Sequence, residues 1–234
     1  MPKKLQAMDE DNNFIDRQRC YSCYRPVTSC MCEHINPIET NTQFIILMHP
    51  KEFKKTKNGT GHFTHLCLPN SKIFIGIDFS DHEIINEILN DPTKNCYVLY
   101  PDEKSIKLNT QTIQKEDKQN VIFIIDSTWP CSRKMLKCSK NINDLPKISF
   151  VHDKTSTFTI KTQPNIYCLS TIESTLCILE LLDFHNIENI PSSKFQTFLQ
   201  PFHKMVEYQV QCATQPTGRN PRFLKREDFN KTLV

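Results

Sequence analysis

The stretch VIFIIDSTWP, residues 121–130, predicts the strand around which the fold is built. Its first five residues are apolar and predict a short buried strand that stops at Asp126. Ser127 or Thr128 can cap a following helix, and Pro130 suits the first turn of that helix. Ligands of open α/β sheets bind at the carboxyl ends of strands, so this end is a candidate site. An ordinary strand–turn–helix with Asp126 as a turn residue explains the same spacing.

Apolar runs of strand length recur on both sides of this stretch and alternate with helical patterns. The patterns predict strands at 42–48, 72–77, 96–100, 145–151 and 166–169, and a polar loop at 102–120. A capping box from Ser80 to Glu83 predicts a helix start. A final helix is expected over residues 193–212, with a kink at Pro201. The alternation predicts an α/β fold, a mostly parallel sheet with helices on both faces.

Length and composition exclude several classes of protein. The 234 residues, 38% of them hydrophobic, fit one α/β domain with a small appendage. Only four glycines occur, which excludes a G-x-G-x-x-G dinucleotide loop and a Walker loop. There is no run of 18 apolar residues and no apolar secretory signal, so we expect no membrane span and a cytoplasmic location. The net charge of +3 is weak evidence for a polyanionic partner.

Four of the eleven cysteines form one cluster near the start of the chain. Cys20, Cys23, Cys30 and Cys32 follow a C-x₂-C-x₆-C-x-C pattern, and four thiolates at such spacing can close a tetrahedral structural zinc site. A redox pair or plain core cysteines are the alternatives. The pattern divides the chain into a tail at 1–19 that we expect to be disordered, a zinc knuckle at 20–38 and a main domain at 39–234.

Two further segments each allow a functional and a structural interpretation. Lysines 51, 54, 55 and 57 precede Asn58-Gly59-Thr60-Gly61-His62, and such a basic, glycine-containing loop could meet phosphate or simply be solvated. Ser170 and Glu173 have the spacing of a capping box, which would satisfy the free amides of a helix without any ligand.

Four motifs occur in a fixed order along the chain. They are Cys-x-x-Cys…Cys-x-Cys, His49-Pro50-x-Glu52, Asp126-x-Thr128-Trp129 followed by Arg133-Lys134-Met135, and Leu169-Ser170-Thr171-x-Glu173. Each motif is weak alone. Together, over about residues 20–212, they resemble the DTW-domain proteins, the tRNA-uridine aminocarboxypropyltransferases.

The resemblance implies an activity, a fold and a set of site residues. Family members transfer the 3-amino-3-carboxypropyl group of S-adenosylmethionine to N3 of a tRNA uridine, and their fold is similar to the SPOUT methyltransferases, with a C-terminal knot. Asp126 would then act as general base or hold the uracil imide, with Trp129 stacking on the base or walling the pocket. The implied catalytic set is Asp126, Thr128 and Trp129; the implied cofactor-binding set is Leu169, Ser170, Thr171 and Glu173; the implied RNA contacts are Lys54, Lys55, Lys57, Arg133, Lys134 and Lys137.

Two alternatives remain open at this point. The first is another SPOUT-type RNA-modifying enzyme, either a methyltransferase or an rRNA aminocarboxypropyltransferase. The second is a non-catalytic, zinc-stapled RNA-binding module. Nothing in the sequence implies a protein partner.

Overall fold

A computed structural model describes residues 6–8, 14–16, 18–54, 59–113, 117–160 and 168–214. Its centre is a six-stranded sheet in which every neighbouring pair is parallel. The strands are β1 (Gln6–Met8), β2 (Phe14–Asp16), β3 (Gln43–Met48), β4 (Ser71–Ile75), β5 (Lys94–Leu99), β6 (Ile106–Lys107), β7 (Gln119–Asp126) and β8 (Lys147–Ser149). The order across the sheet is β4-β3-β7-β5-β8-β6, and β1 pairs separately with β2.

Strand β7 lies between β3 and β5 because it is apolar on both faces, as a strand inside a covered parallel sheet must be. Val121 and Phe123 belong to one core, whereas Ile122 and Ile124 belong to the core on the other face. All four side chains are buried. The prediction of a central buried strand at this position is confirmed.

Helices cover both faces of the sheet, as the alternation predicts. They are α1 (Pro50–Phe53), α2 (Thr60–Cys67), α3 (Glu83–Asn90), α4 (Trp129–Cys138), α5 (Lys140–Asn143), α6 (Thr171–Phe184), α7 (Ser192–Phe198) and α8 (Gln200–Thr214). Side chains of α3, α4 and α5 pack with Val121 and Phe123. Side chains of α2, α6, α7 and α8 pack with Ile122 and Ile124 on the opposite face.

Three local predictions are wrong in detail. The N-cap of α3 is His82 rather than Ser80, whose hydroxyl donates instead to the carbonyl of Cys138 at 3.0 Å. The final helical segment is two helices that meet at Leu199, because Pro201 cannot continue an α-helix without loss of a hydrogen bond. The segment predicted to be a polar loop contains the edge strand β6.

The ends of the chain and the implied knot stay at the level of prediction. Within the segment expected to be disordered, β1 pairs antiparallel with β2. The domain boundaries at residues 19 and 38 stay predictions. Residues 161–167 and 215–234 lie outside the described part of the chain, so the knot and most of the strand expected at 166–169 stay untested. Among the described residues, no helix has both the length and the apolarity needed to cross a bilayer.

Candidate functional site

The carboxyl ends of three neighbouring strands, β7, β5 and β8, meet at one edge of the sheet and border a cavity of ≈ 290 Å³. Its volume is at the small end of the range for small-molecule sites, which is about 300–1,000 Å³. Residues from different strand ends and from the starts of α4 and α6 line it, among them Tyr100, Trp129, Phe150, His152, Leu169 and Thr171. The expectation of a site beside the end of β7 therefore coincides with a real concavity.

The Asp126 carboxyl group lies behind this cavity rather than in its wall. Ile125 and Ser127 line the cavity, but Asp126 is 6% exposed and its Oδ1 accepts a 2.6 Å hydrogen bond from the Thr171 hydroxyl. Its backbone carbonyl accepts from the N–H of His49 at 3.0 Å. Asp126 thus joins the end of β7 to the start of α6 and to the end of β3.

The amino ends of two helices converge on this carboxyl group. Thr171 is the first residue of α6, and Gly61 is the second residue of α2. A helix amino end carries partial positive charge and free N–H groups, so a carboxylate is stabilised there. Gly61 approaches so closely that a Cβ on it would overlap Oδ2 of Asp126 and lie 2.7 Å from Cγ.

We expect Gly61→Ala to destabilise the protein although alanine favours helix by about 1 kcal/mol over glycine. The added methyl must displace the buried Asp126 carboxyl group, and such overpacking costs roughly 1–3 kcal/mol. Denaturant unfolding measures the loss. The same substitution in an Asp126→Ala background should cost less, because the clashing atoms are gone; equal cost in both backgrounds would contradict the close contact.

Glu173 organises the loop that follows β8. Its carboxyl group is buried and accepts a hydrogen bond from the Ser170 N–H at 2.8 Å, as the capping box predicts, and a further one from the Ser170 hydroxyl at 2.6 Å. It also accepts from the Ser156 hydroxyl and the Thr157 N–H, both at 2.8 Å. Of the four residues expected to bind the cofactor, Leu169 and Thr171 line the cavity, whereas Ser170 and Glu173 support its wall.

Trp129 lines the cavity and is also exposed to solvent. Its side chain is 42% exposed, and its ring meets that of Tyr100 edge-on, with 6.3 Å between the centroids. Thr128 is the exposed N-cap of α4, where its carbonyl accepts from the N–H of Ser132 at 2.8 Å. An accessible ring on a supported wall is suited to stacking on a base.

The predicted RNA contacts divide into two places. Arg133, Lys134 and Lys137 are exposed on α4, the helix that begins with Trp129. Lys54 is exposed at the end of α1, while Lys55 and Lys57 lie outside the described residues. The cations on α4 are therefore carried by the same helix as the exposed aromatic ring.

The four clustered cysteines form a compact group of sulfur atoms. All four Sγ atoms lie within 4.8 Å of one another, with 3.5 Å between Cys20 and Cys32 and 3.7 Å between Cys23 and Cys30. A tetrahedral zinc with bonds of about 2.3 Å holds its sulfurs about 3.8 Å apart, so these distances fit. Backbone N–H groups of Cys23 and Ser22 lower the pKa of Cys20 to about 6, whereas burial raises the pKa of Cys30 and of Cys32.

This knuckle packs against α2, the helix that approaches Asp126. Arg25 is buried, donates from Nε to the carbonyl of Ser29 at 2.9 Å and lies 5.5 Å from the ring centroid of Phe63. The rings of Tyr24 and His62 also meet, with centroids 6.5 Å apart. The cysteine cluster and the sheet edge are thus connected through one short helix.

Several cavity residues were not predicted from the sequence, among them Tyr100, Phe150 and His152. Tyr100 directly follows β5, and Phe150 directly follows β8. The rule that identified the end of β7 would have found them if it had been applied to every strand end.

In open, parallel α/β sheets, ligands bind at the carboxyl ends of the strands. The cavity with aromatic walls at this edge therefore places the protein among the ligand-binding or catalytic proteins with such a sheet. The chain belongs to the DTW domain family, whose family model matches residues 17–210. The resemblance drawn from the four motifs is confirmed.

Named relatives cover most of the chain. A tRNA-uridine aminocarboxypropyltransferase 2 of Drosophila melanogaster is 27% identical over 224 residues, spanning 93% of this chain and 85% of the relative. The protein of the same name in Macaca fascicularis is 24% identical, with 93% and 72% covered. A tRNA-uridine aminocarboxypropyltransferase A of Arabidopsis thaliana is 29% identical over 147 residues, which is 56% of this chain and 55% of that protein. No solved structure matches the chain significantly.

Proposed function

We propose that this protein transfers the 3-amino-3-carboxypropyl group of S-adenosylmethionine to N3 of a uridine in tRNA. The observation that carries the proposal is the cavity at the carboxyl edge of the sheet, walled by Trp129 and Thr171. Two comparisons support the proposal. The chain belongs to the DTW family, and over most of its length it is similar to relatives that are named tRNA-uridine aminocarboxypropyltransferases.

The start of α6 is the part of the cavity best suited to the cofactor. Leu169 and Thr171 line it, and the Asp126–Thr171 hydrogen bond fixes this turn against the end of β7. The chain has no glycine-rich phosphate loop, and S-adenosylmethionine, which has no phosphate, needs none. When bound, S-adenosylmethionine supplies a sulfonium, an excellent leaving group, so the protein's main task is orientation.

The tRNA would meet the surface beside the same cavity. Trp129 offers an accessible ring to the target uracil, and Arg133, Lys134 and Lys137 on the same helix offer cations to the neighbouring phosphates. Lys54, exposed at the end of α1, would offer a further cation, and the roles of Lys55 and Lys57 stay predictions because both lie outside the described residues. Thr128, the third residue of the predicted catalytic set, is exposed at the start of this helix and does not line the cavity.

We further propose that Cys20, Cys23, Cys30 and Cys32 hold a structural zinc ion. Four sulfur ligands leave no open position for substrate, so the metal would stabilise the knuckle and not take part in transfer. Unpaired thiols of this kind persist in a reducing compartment, which favours a cytoplasmic location.

Incubation of the metal-loaded protein with tRNA and S-adenosylmethionine, followed by mass spectrometry of the nucleosides, tests the function. We expect aminocarboxypropyl uridine and calorimetric binding of S-adenosylmethionine. A methylated nucleoside would instead identify a methyltransferase, and rRNA modification without tRNA modification would change the substrate. RNA binding with neither product nor cofactor binding would identify a non-catalytic module.

A further inference from the structure

His152 is a cavity residue with a defined tautomer. It lies three residues beyond the end of β8, and its Nδ1 is 3.0 Å from the carbonyl oxygen of Lys154. A carbonyl oxygen can only accept a hydrogen bond, so Nδ1 carries the proton of the neutral ring. The lone pair is then on Nε2, the nitrogen not engaged by the loop.

The loop that carries His152 is fastened to α6 at several points. The Lys154 ammonium also pairs with Oε2 of Glu180 on α6 at 2.7 Å, an exposed contact of the kind that contributes little to stability. Two residues further on, Ser156 and Thr157 donate to the buried Glu173 carboxyl group. The Phe150 ring lies beside the imidazole, with 5.5 Å between centroids. Supporting contacts of this kind hold a catalytic group in position.

The other candidate for proton removal is less favourably placed. Asp126 does not line the cavity, and its Oδ1 is engaged by the Thr171 hydroxyl. Among the described residues that line the cavity, Tyr100, His152 and Cys168 carry titratable side chains. Histidine is the side chain that most often serves as a general base in enzymes.

We propose that His152 is the general base of the transfer reaction, an inference that rests on the proposed function. Nε2 of His152 takes the proton from N3 of the uridine. The N3 electron pair forms a bond to the methylene carbon of the aminocarboxypropyl chain that is attached to the sulfonium sulfur. The bond between that carbon and sulfur breaks, its electron pair stays on sulfur, and neutral methylthioadenosine leaves. The positive charge of the sulfonium is thereby replaced by that of the imidazolium.

The test compares His152→Ala with His185→Ala. His185 also contacts a backbone carbonyl, that of Leu108 at 2.7 Å, but it does not line the cavity. We expect His152→Ala to lower kcat by roughly 10²–10⁴-fold, the usual effect of a lost general base, with S-adenosylmethionine affinity and Tm near normal. Added imidazole should restore part of the rate. His185→Ala should keep the wild-type kcat and gain nothing from imidazole.

A second variant, His152→Gln, keeps a side chain that can donate to the Lys154 carbonyl but has no basic nitrogen. We expect it to be as slow as His152→Ala. Wild-type kcat in either variant, a loss confined to KM, or no rescue of His152→Ala by imidazole would overturn the assignment. Wild-type protein that makes no aminocarboxypropyl uridine would instead overturn the proposed function, so the two failures are distinguishable.

Discussion

Asp126→Asn is expected to lower the free energy of unfolding by roughly 2 kcal/mol and the rate of transfer about 10²-fold. The lost stability has two sources. A hydrogen bond to a buried charged group contributes about 1.5–3 kcal/mol, and a negative charge at a helix amino end contributes about 0.3–2 kcal/mol. The new amide would place an uncharged group beside Gly61, at the amino end of α2. The rate falls because Thr171 shifts, and a displacement of about 1 Å can cost about 10²-fold.

Thr171→Val distinguishes positioning by Asp126 from direct proton transfer. Valine keeps the shape of threonine but cannot donate the 2.6 Å hydrogen bond to Asp126. If Asp126 positions the start of α6, both variants lose rate and their effects on stability are not additive. If Asp126 is the base that the family resemblance implies, Asp126→Asn folds normally and loses about 10²–10⁴-fold, while Thr171→Val transfers at nearly the normal rate. Tm, cofactor affinity and turnover are measured on the same preparations.

Loss of the cysteine-bound metal is expected to have the second large effect. Cys23→Ser should reduce zinc from about one ion per chain to a small fraction and lower the free energy of unfolding by about 3 kcal/mol, as loss of a structural metal does. That is a Tm decrease of about 6–12 °C for a chain of this size. Cys23 is 5% exposed, so its sulfur cannot be replaced by solvent.

Cys212→Ser is the matched control, because Cys212 is exposed on α8 and outside the cluster. It should leave metal content and Tm unchanged. Cys23→Ser should also weaken the binding of S-adenosylmethionine in the cavity, since Arg25 and Tyr24 of the knuckle support α2. Purified wild-type protein without zinc, or unchanged metal in Cys20→Ser, would refute the metal site.

The sequence was most informative where one physical requirement dominates. A strand covered on both faces must be apolar throughout, so β7 and its end at Asp126 could be predicted. Ser80 shows the opposite case: its capping pattern is locally sound, but its hydroxyl is engaged by the carbonyl of Cys138, far along the chain. Edge strand β6 has two residues, too few for any periodicity.

The position of the candidate site could be predicted from the sequence, but the arrangement of its side chains could not. Alternation puts Asp126 on the same side of β7 as Ile122 and Ile124, facing α2 and α6. Which side of the strand end opens into the cavity depends on how helices and loops pack, and the residue pattern of β7 contains no information on that. The end of β8 points to the neighbourhood of His152 in the same way, but the orientation of its imidazole depends on the loop around Lys154, which the sequence does not reveal.

The strand order also determines how the newly made chain can fold. β7 is synthesised after β3, β4 and β5, yet it is the strand that joins β3 to β5. Before residues 119–126 leave the ribosome, β5 lacks both of the strands with which it pairs in the described sheet, β7 and β8. Unpaired apolar strand edges are prone to wrong association. Synthesis of β7 is therefore the step at which the nascent sheet first becomes continuous and the risk of aggregation falls.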